Sequence, residues 1–187
     1  MGVNTKEKIL SAAEKLFMEN DHEDISVRKI CAIAGVSNGS FYHHIGSKEN
    51  LMKMIYYSSD ENGIKIFLQK SKNKDIFEKI ELIADIYTDF ALKYGPKFCK
   101  HIIFLKLSDS LLDSDTYLLG SQIKLLIKDA YLNKLFNNKY TEDFILAIFL
   151  TTIRGFAYEW STRNGEGDLK EYTLSSIKIL ISHFKAN

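Results

Sequence analysis

Small and polar side chains follow one another between residues 37 and 48, and their types suit contact with a nucleic acid. Short side chains at the start of this stretch would let the backbone approach another molecule closely. Asparagine can pair with adenine and serine with any base, whereas tyrosine, histidine and lysine suit phosphate oxygens. The residues concerned are Ser37, Asn38, Gly39, Ser40, Tyr42, His43, His44 and Lys48.

The same residue types give little support for an enzyme. The sequence contains no His-Glu-x-x-His, no Gly-x-Ser-x-Gly, no phosphate-binding loop and no metal-ligand spacing. His43 and His44 are adjacent, so on a helix they would point about 100° apart and could not easily share a metal ion or a proton. The pair Asp113 and Asp115 is the other catalytic alternative. We expect no catalytic residue, no metal site and no cofactor.

The composition and the spacing of apolar residues predict an all-α chain. Among 187 residues, Pro96 is the single proline, and apolar residues recur every three or four positions almost throughout. A hydrophobic share of 45% with 26% charged residues is typical of a globular protein and excludes a disordered one. Cys31 and Cys99 form no Cys-x-x-Cys pair, so two small buried side chains are expected.

Serine and glycine divide the first fifty residues into three short helices. Ser26, Ser37 and Ser47 each precede a helical pattern as an N-cap, while Gly35 and Gly46 end the two helices between them. The predicted helices span residues 5–20, 27–34 and 38–45. A short turn containing Gly35 joins the second helix to the third, which is the arrangement of a helix-turn-helix.

Longer helices are predicted for the remainder of the chain. Gly95-Pro96 should break the helical pattern, and residues 108–115 should form a polar connector. The predicted spans are 47–70, 75–94, 97–107, 116–136, 141–162 and 168–184. The chain should therefore contain about nine helices in total.

One segment of the sequence, residues 26–51, combines these caps and small residues in a long, spaced pattern. Its elements are Ala34-Gly35-Val36-Ser37, Gly39-Ser40-Phe41-Tyr42, His44, Ser47-Lys48 and Leu51. This pattern resembles the DNA-binding signature of the TetR family of bacterial regulators. Asn38 departs from the signature, in which a basic residue is common at that position, and Ile45 replaces a more usual aromatic residue.

This resemblance implies a fold of two parts and a regulatory function. Residues 1–50 would form the three-helix helix-turn-helix domain, and residues 51–187 a larger helical domain that binds an effector and makes the dimer. The homodimer would bind double-stranded DNA at a palindromic operator, as a repressor that a small, largely apolar effector releases. The expected DNA contacts are Ser26, Arg28, Ser37, Asn38, Gly39, Ser40, Tyr42, His43 and Lys48.

Two further sets of residues follow from the family layout and from apolar stripes in the C-terminal part, although an ordinary core would explain the same stripes. The candidates for an effector cavity are Phe67, Tyr87, Phe90, Tyr94, Phe98, His101, Ile102, Leu105 and Trp160. The candidates for the dimer interface are Phe144, Ile148, Thr151, Gly155, Tyr158, Ile177, Leu180, Ile181 and Phe184.

The charge distribution and the hydropathy of the chain limit its expected location in the cell and its expected binding partners. Residues 25–56 contain four basic side chains against the single carboxylate of Glu49, which an anionic partner or a solvated face would explain equally well. Charges in the first residues exclude a signal peptide, and the apolar runs are far shorter than a membrane span. We expect a soluble, cytoplasmic protein that does not engage a membrane. An all-α interaction module without DNA binding is the alternative function.

Overall fold

Eight helices form the regular structure in a computed structural model that describes residues 4–19, 25–108, 118–137 and 139–186. Of the connector predicted at 108–115, Ser108 is the last residue of a helix, while residues 109–115 with Asp113 and Asp115 lie outside those ranges, as does the predicted start of the next helix at residues 116–117. The helices are α1 (Thr5–Glu19), α2 (Val27–Ala34), α3 (Asn38–His44), α4 (Lys48–Lys70), α5 (Ile76–Ser108), α6 (Leu118–Leu132), α7 (Glu142–Thr162) and α8 (Leu169–Phe184).

The three predicted serine caps begin α2, α3 and α4. The hydroxyls of Ser26, Ser37 and Ser47 accept from the backbone N–H three residues further on, at 3.2, 3.1 and 3.0 Å. Gly35 follows α2 with φ at 65°, a left-handed conformation that a residue without a Cβ adopts at no steric cost. The turn between α2 and α3 is therefore encoded locally, as the sequence predicted.

A bend at Gly95 replaces one of the predicted breaks. Gly95 has φ 81° and ψ 167°, outside the helical region, yet the chain is helical on both sides and forms one element, α5. Proline is accepted at position 96 because it begins the helical segment after the bend. The N–H that it lacks would have no partner in the first turn of a helix, and its ring fixes φ near the helical value. The predicted break at Gly95-Pro96 is thus present as a kink, and the helices predicted at 75–94 and 97–107 are the two parts of α5, so the structure describes eight helices and not nine.

The helix-turn-helix packs on a core that also contains part of α5. Phe41 and Ile45 of the third helix region are buried against α1, α2 and the start of α4. Tyr94, Phe98, Ile102 and Leu105 from α5 belong to the same cluster of buried side chains. This core therefore contains residues from both sides of position 50, where the sequence predicted a boundary between two domains. That domain boundary stays a prediction.

A second core lies among the five longer helices, from α4 through α8. Its buried side chains come from α4, the first part of α5, α6, α7 and α8, and it includes Phe149 and Ile177 at full burial. Gly63 of α4 lets α6 approach closely, because a Cβ at that position would lie 2.6 Å from a methyl group of Leu119. Within the described ranges, no helix has both the length and the apolar character that crossing a lipid bilayer requires.

Candidate nucleic-acid interface

The first turn of α3 presents the predicted base-reading residues to solvent. Asn38 and Gly39 are exposed, and Ser40 is half-buried. Ser37, which caps the helix, is exposed as well. An α-helix end with side chains this small can enter a major groove about 12 Å wide.

Two apolar side chains on the opposite side of α3 hold this end in position. Phe41 has no exposed surface, and Ile45 at the C-cap is 2% exposed. Tyr42 points away from the core with 57% of its surface exposed, and its ring lies edge-on to that of Phe41 at 5.5 Å. His43 and His44 are exposed too, so neither side chain belongs to the core of the monomer.

The predicted phosphate contacts lie at the starts of the neighbouring helices. Ser26 and Arg28 at the start of α2 are exposed. Lys48 begins α4 and is half-buried, and this burial lowers its pKa while the neighbouring Glu49 opposes the shift. His101 of α5 lies close enough to interact electrostatically with Lys48 and Glu49. Lys48 therefore stands where α4, the candidate interface and α5 meet.

A cavity of about 290 Å³ lies between α4, both parts of α5 and α7. Three of the predicted effector-cavity residues line it, namely Tyr87, Phe90 and Ile102. The full lining is Tyr56, Tyr87, Thr88, Phe90, Ala91, Cys99, Ile102, Ile103, Lys106, Leu107, Ile153, Arg154, Ala157 and Tyr158.

The other predicted cavity residues lie elsewhere. Tyr94 lines a smaller cavity of about 180 Å³ between α4, α5 and α6, where Tyr87 and Phe90 recur. His101 faces the start of α4 instead. The remaining candidates line neither cavity, because neighbouring helices bury them in the cores, and they are Phe67, Phe98, Leu105 and Trp160.

Sequence reasoning missed the polar members of the larger cavity. Tyr56, Lys106 and Arg154 line it, and Lys106 Nζ donates to Tyr56 Oη at 2.8 Å. One signal was available for Arg154, which is the single basic residue of α7, a mainly apolar helix. For Tyr56 and Lys106 the sequence contains no comparable signal, because their proximity depends on how α4 packs against α5.

The α7 part of the predicted dimer interface is a surface of the monomer. Phe144, Thr151 and Tyr158 are exposed, and Ile148 and Gly155 are half-buried. These positions follow one another at intervals of three or four residues, so they share one face of the helix. Nothing lies within 4 Å of a Cβ built on Gly155, which leaves that position open to a partner.

The α8 part of the prediction needs correction. Ile177, Ile181 and Phe184 are buried in the second core of the monomer, and Leu180 packs against that core. Their stripe contacts the chain's own helices, because α8 is packed on α5 and α7. The exposed face of α8 carries Tyr172 and Ile179 instead. They are seven residues, about two turns, apart and so lie on one side of α8.

Comparison with known proteins agrees with this arrangement. Residues 9–55 match the family model described as bacterial regulatory proteins, tetR family. The HTH-type transcriptional regulator UidR of Escherichia coli K12 is 36% identical over 63 residues, which are 34% of this chain and 32% of that protein. The HTH-type transcriptional repressor AcnR of Corynebacterium glutamicum is 40% identical over 48 residues, 26% of each chain. The chain thus spans about a third or less of the length of these curated relatives.

Solved structures extend the likeness to the whole fold. The fatty acid degradation regulator FadR of Bacillus halodurans has a TM-score of 0.72 at 16% identity, covering 95% of this chain and 98% of its own. FadR of Bacillus subtilis, solved with stearoyl-CoA, has a TM-score of 0.71 at 18% identity, covering 94% and 97%. At such identities the likeness concerns the fold alone. Residues 9–55 thus match the model of the tetR family of bacterial regulatory proteins, the family that the signature around Ser37 resembles.

Proposed function

We propose that this protein is a sequence-specific DNA-binding transcriptional regulator, and more narrowly a repressor that binds a palindromic operator as a homodimer. The observation that carries the proposal is the exposed first turn of α3, held on the buried side chains of Phe41 and Ile45. The family match covers this segment. One relative that matches it is named a transcriptional repressor, which supports repression over activation.

Two kinds of DNA contact are expected from the residues around α3. Asn38 and Ser40 have the donors and acceptors for base edges, and Gly39 keeps the backbone close to them. The groups for phosphate oxygens flank this tip on α2, on the rest of α3 and at the start of α4. They are Ser26, Arg28, Tyr42, His43 and Lys48, all exposed or half-buried.

A two-fold symmetric dimer would present two copies of α3 to successive major grooves. The exposed face of α7 from Phe144 to Tyr158, together with Tyr172 and Ile179 of α8, offers an apolar surface for that contact. Half-sites about 34–36 Å apart, or one helical turn of DNA, are the expected geometry. A palindromic operator follows from the symmetry of such a dimer.

A small effector in the larger cavity would control DNA binding through α5. Phe90 lines both cavities, and one turn further along α5 the hydroxyl of Tyr94 donates to Glu14 of α1 at 2.7 Å. Ser59 of α4 lies 3.1 Å from the same hydroxyl. Movement of α5 would therefore be transmitted to the helix-turn-helix. An effector releases the operator only if it binds one arrangement of α5 more tightly than the other.

Selection of bound duplexes from a random DNA pool at moderate salt tests the proposal. We expect enrichment of a palindrome whose half-sites are separated by about one helical turn. The variant Tyr42→Ala with Lys48→Ala, which keeps the buried anchors, is the matched control and should enrich nothing. Absence of enrichment by the unmodified protein would contradict DNA reading and would favour an interaction module.

A further inference from the structure

The described residues that line the larger cavity include cations but no acidic side chain. Lys106 of α5 and Arg154 of α7 are among its lining residues, whereas no aspartate or glutamate in the described part of the chain lines it. The rest of the wall is mainly aliphatic and aromatic, with Phe90, Ile102 and Ile153 as examples. A cavity of this composition has a positive potential that an uncharged ligand would not use.

Among the described residues, Arg154 has no partner for its charge. Among the described residues, none forms a hydrogen bond or an ion pair with its guanidinium, although the side chain is half-buried. Other basic side chains of the C-terminal part do have such partners, as Lys170 does with Asp85 and Asp89. A partly desolvated guanidinium is normally paired, because burial without a counter-charge costs free energy. An anion from outside the chain would supply that partner.

Tyr87 adds a hydrogen-bond donor near this charge. The hydroxyls of Tyr56 and Tyr94 have protein partners, Lys106 and Glu14 respectively, whereas that of Tyr87 has none in the described ranges. Burial raises the pKa of Tyr87 to about 12, against the opposing effect of Arg154, so the phenol keeps its proton at neutral pH. Tyr87 and Arg154 both line the larger cavity, and the charges of Arg154 and of Asp60 on α4 have opposite effects on the pKa of this phenol.

We propose that this cavity binds a small amphipathic carboxylate, with the carboxylate on Arg154 and Tyr87 and the apolar body against Phe90, Ile102 and Ile153. The planar guanidinium suits a carboxylate because it can donate two parallel hydrogen bonds. The volume of about 290 Å³ limits the body to a short chain or a single ring. Taking this ligand as the effector rests on the proposed function, while its chemical class rests on the cavity wall.

Titration calorimetry of the full-length protein with octanoate and with octan-1-ol tests the ligand class. The two probes share their apolar chain and differ in the charged head. We expect octanoate to bind at least about tenfold more tightly, since a hydrogen bond to a charged group contributes about that factor. Affinity should also rise about fourfold for each methylene between butanoate and octanoate.

Two variants and one control locate the head group. Arg154→Gln should weaken octanoate binding about tenfold and leave octan-1-ol binding unchanged. Tyr87→Phe removes a single oxygen and should weaken octanoate alone by several-fold. Arg163→Gln is the matched control, because Arg163 caps the end of α7 at the surface beside Glu159, and it should bind both probes as the unmodified protein does.

The proposal is overturned if octan-1-ol binds as tightly as octanoate, if Arg154→Gln leaves octanoate binding unchanged, or if neither probe binds at millimolar concentration. Operator binding by the protein without probe is measured separately. Its absence would contradict the proposed function and leave the calorimetric result standing. Octanoate that binds in the cavity but does not lower operator affinity would support the ligand class and contradict its role as the effector.

Discussion

At the scale of single residues, the side chains around α3 differ in what they are expected to contribute, either the preference for a DNA sequence or the affinity for DNA of any sequence. Asn38 is exposed in the first turn, where a base edge would lie, whereas Lys48 stands at the start of the next helix. Contacts to bases distinguish sequences, while contacts to phosphates bind all sequences alike. Substitutions of the two residues should therefore leave different signatures in binding experiments.

Asn38→Ala should change which base is preferred at one position of each half-site. The expected loss is about 1–3 kcal/mol for the preferred base, because a bidentate contact to that base is removed. Binding of a panel of single-base operator variants measures this change. An unaltered preference in the panel would remove Asn38 from base reading.

Lys48→Ala should weaken binding to all sequences by a similar factor. Loss of one phosphate contact should reduce the slope of log affinity against log salt concentration by about one unit. Titrations from low to moderate salt measure the slope. Lys53→Ala, one and a half turns further along α4, is the matched control and should keep the slope. Equal slopes for all three proteins would mean that Lys48 is not a phosphate contact.

At the scale of the helix, α3 depends on its cap and its buried face. Its seven residues are fewer than an isolated helix needs in water, so the contacts of Phe41 and the cap of Ser37 must hold it. The same hydroxyl accepts a backbone hydrogen bond at 3.1 Å and lies on the candidate interface. Ser37 is therefore expected to contribute both to the stability of α3 and to DNA binding.

Substitutions of Ser37 should separate those two properties. Ser37→Ala should lower the free energy of unfolding by about 1 kcal/mol, because an N-cap is lost. Ser37→Asp should keep the cap but lose DNA affinity, since its carboxylate would face the phosphates. Denaturant unfolding and operator binding measure the two effects. If Ser37→Asp bound DNA normally, the cap would lie away from the duplex.

Packing between α4 and α6 depends on the absence of a side chain at Gly63. In Gly63→Ala the new methyl group would meet Leu119 at 2.6 Å and Ile86 at 3.1 Å. We expect a loss of about 1–3 kcal/mol in the free energy of unfolding, as for other overpacked cores. Gly39→Ala is the matched control, because a Cβ there would meet only the hydroxyl of Ser37, at the ordinary contact distance of 3.8 Å. Equal stability of both variants would mean that Leu119 moves aside at no cost.

At the scale of the whole molecule, the proposed dimer would form through surfaces that the monomer leaves apolar. Ile179 of α8 has 68% of its surface exposed, and Tyr158 of α7 is also exposed. A large exposed apolar patch is characteristic of an interaction site. Because two recognition helices bind far more tightly than one, the oligomeric state should control operator affinity.

Ile179→Glu should convert the dimer to a monomer and lower operator affinity by at least a hundredfold. The expected cause is an unpaired carboxylate in an apolar interface. Sedimentation and operator titration measure the two consequences. Leu125→Glu, at an exposed position of α6, is the control and should remain dimeric. A dimeric Ile179→Glu variant would place the interface on another face.

Local features were predictable because neighbouring residues encode them. The cap of Ser37 and the left-handed Gly35 depend on residues within one turn, so their types alone predict the helix-turn-helix. The signature around α3 adds the family for the same reason, as its spacing follows a single local structure. The inward direction of Phe41 and Ile45 also follows from helical periodicity.

Contacts between distant helices were decided only by the tertiary structure. The apolar stripe of α8 predicts a buried face, but only packing shows that Ile177 and Phe184 face the chain's own core. The cavity likewise brings Tyr87 and Arg154 together from α5 and α7, 67 residues apart in the sequence. Helical periodicity specifies which side of a helix is apolar and not which neighbour covers it.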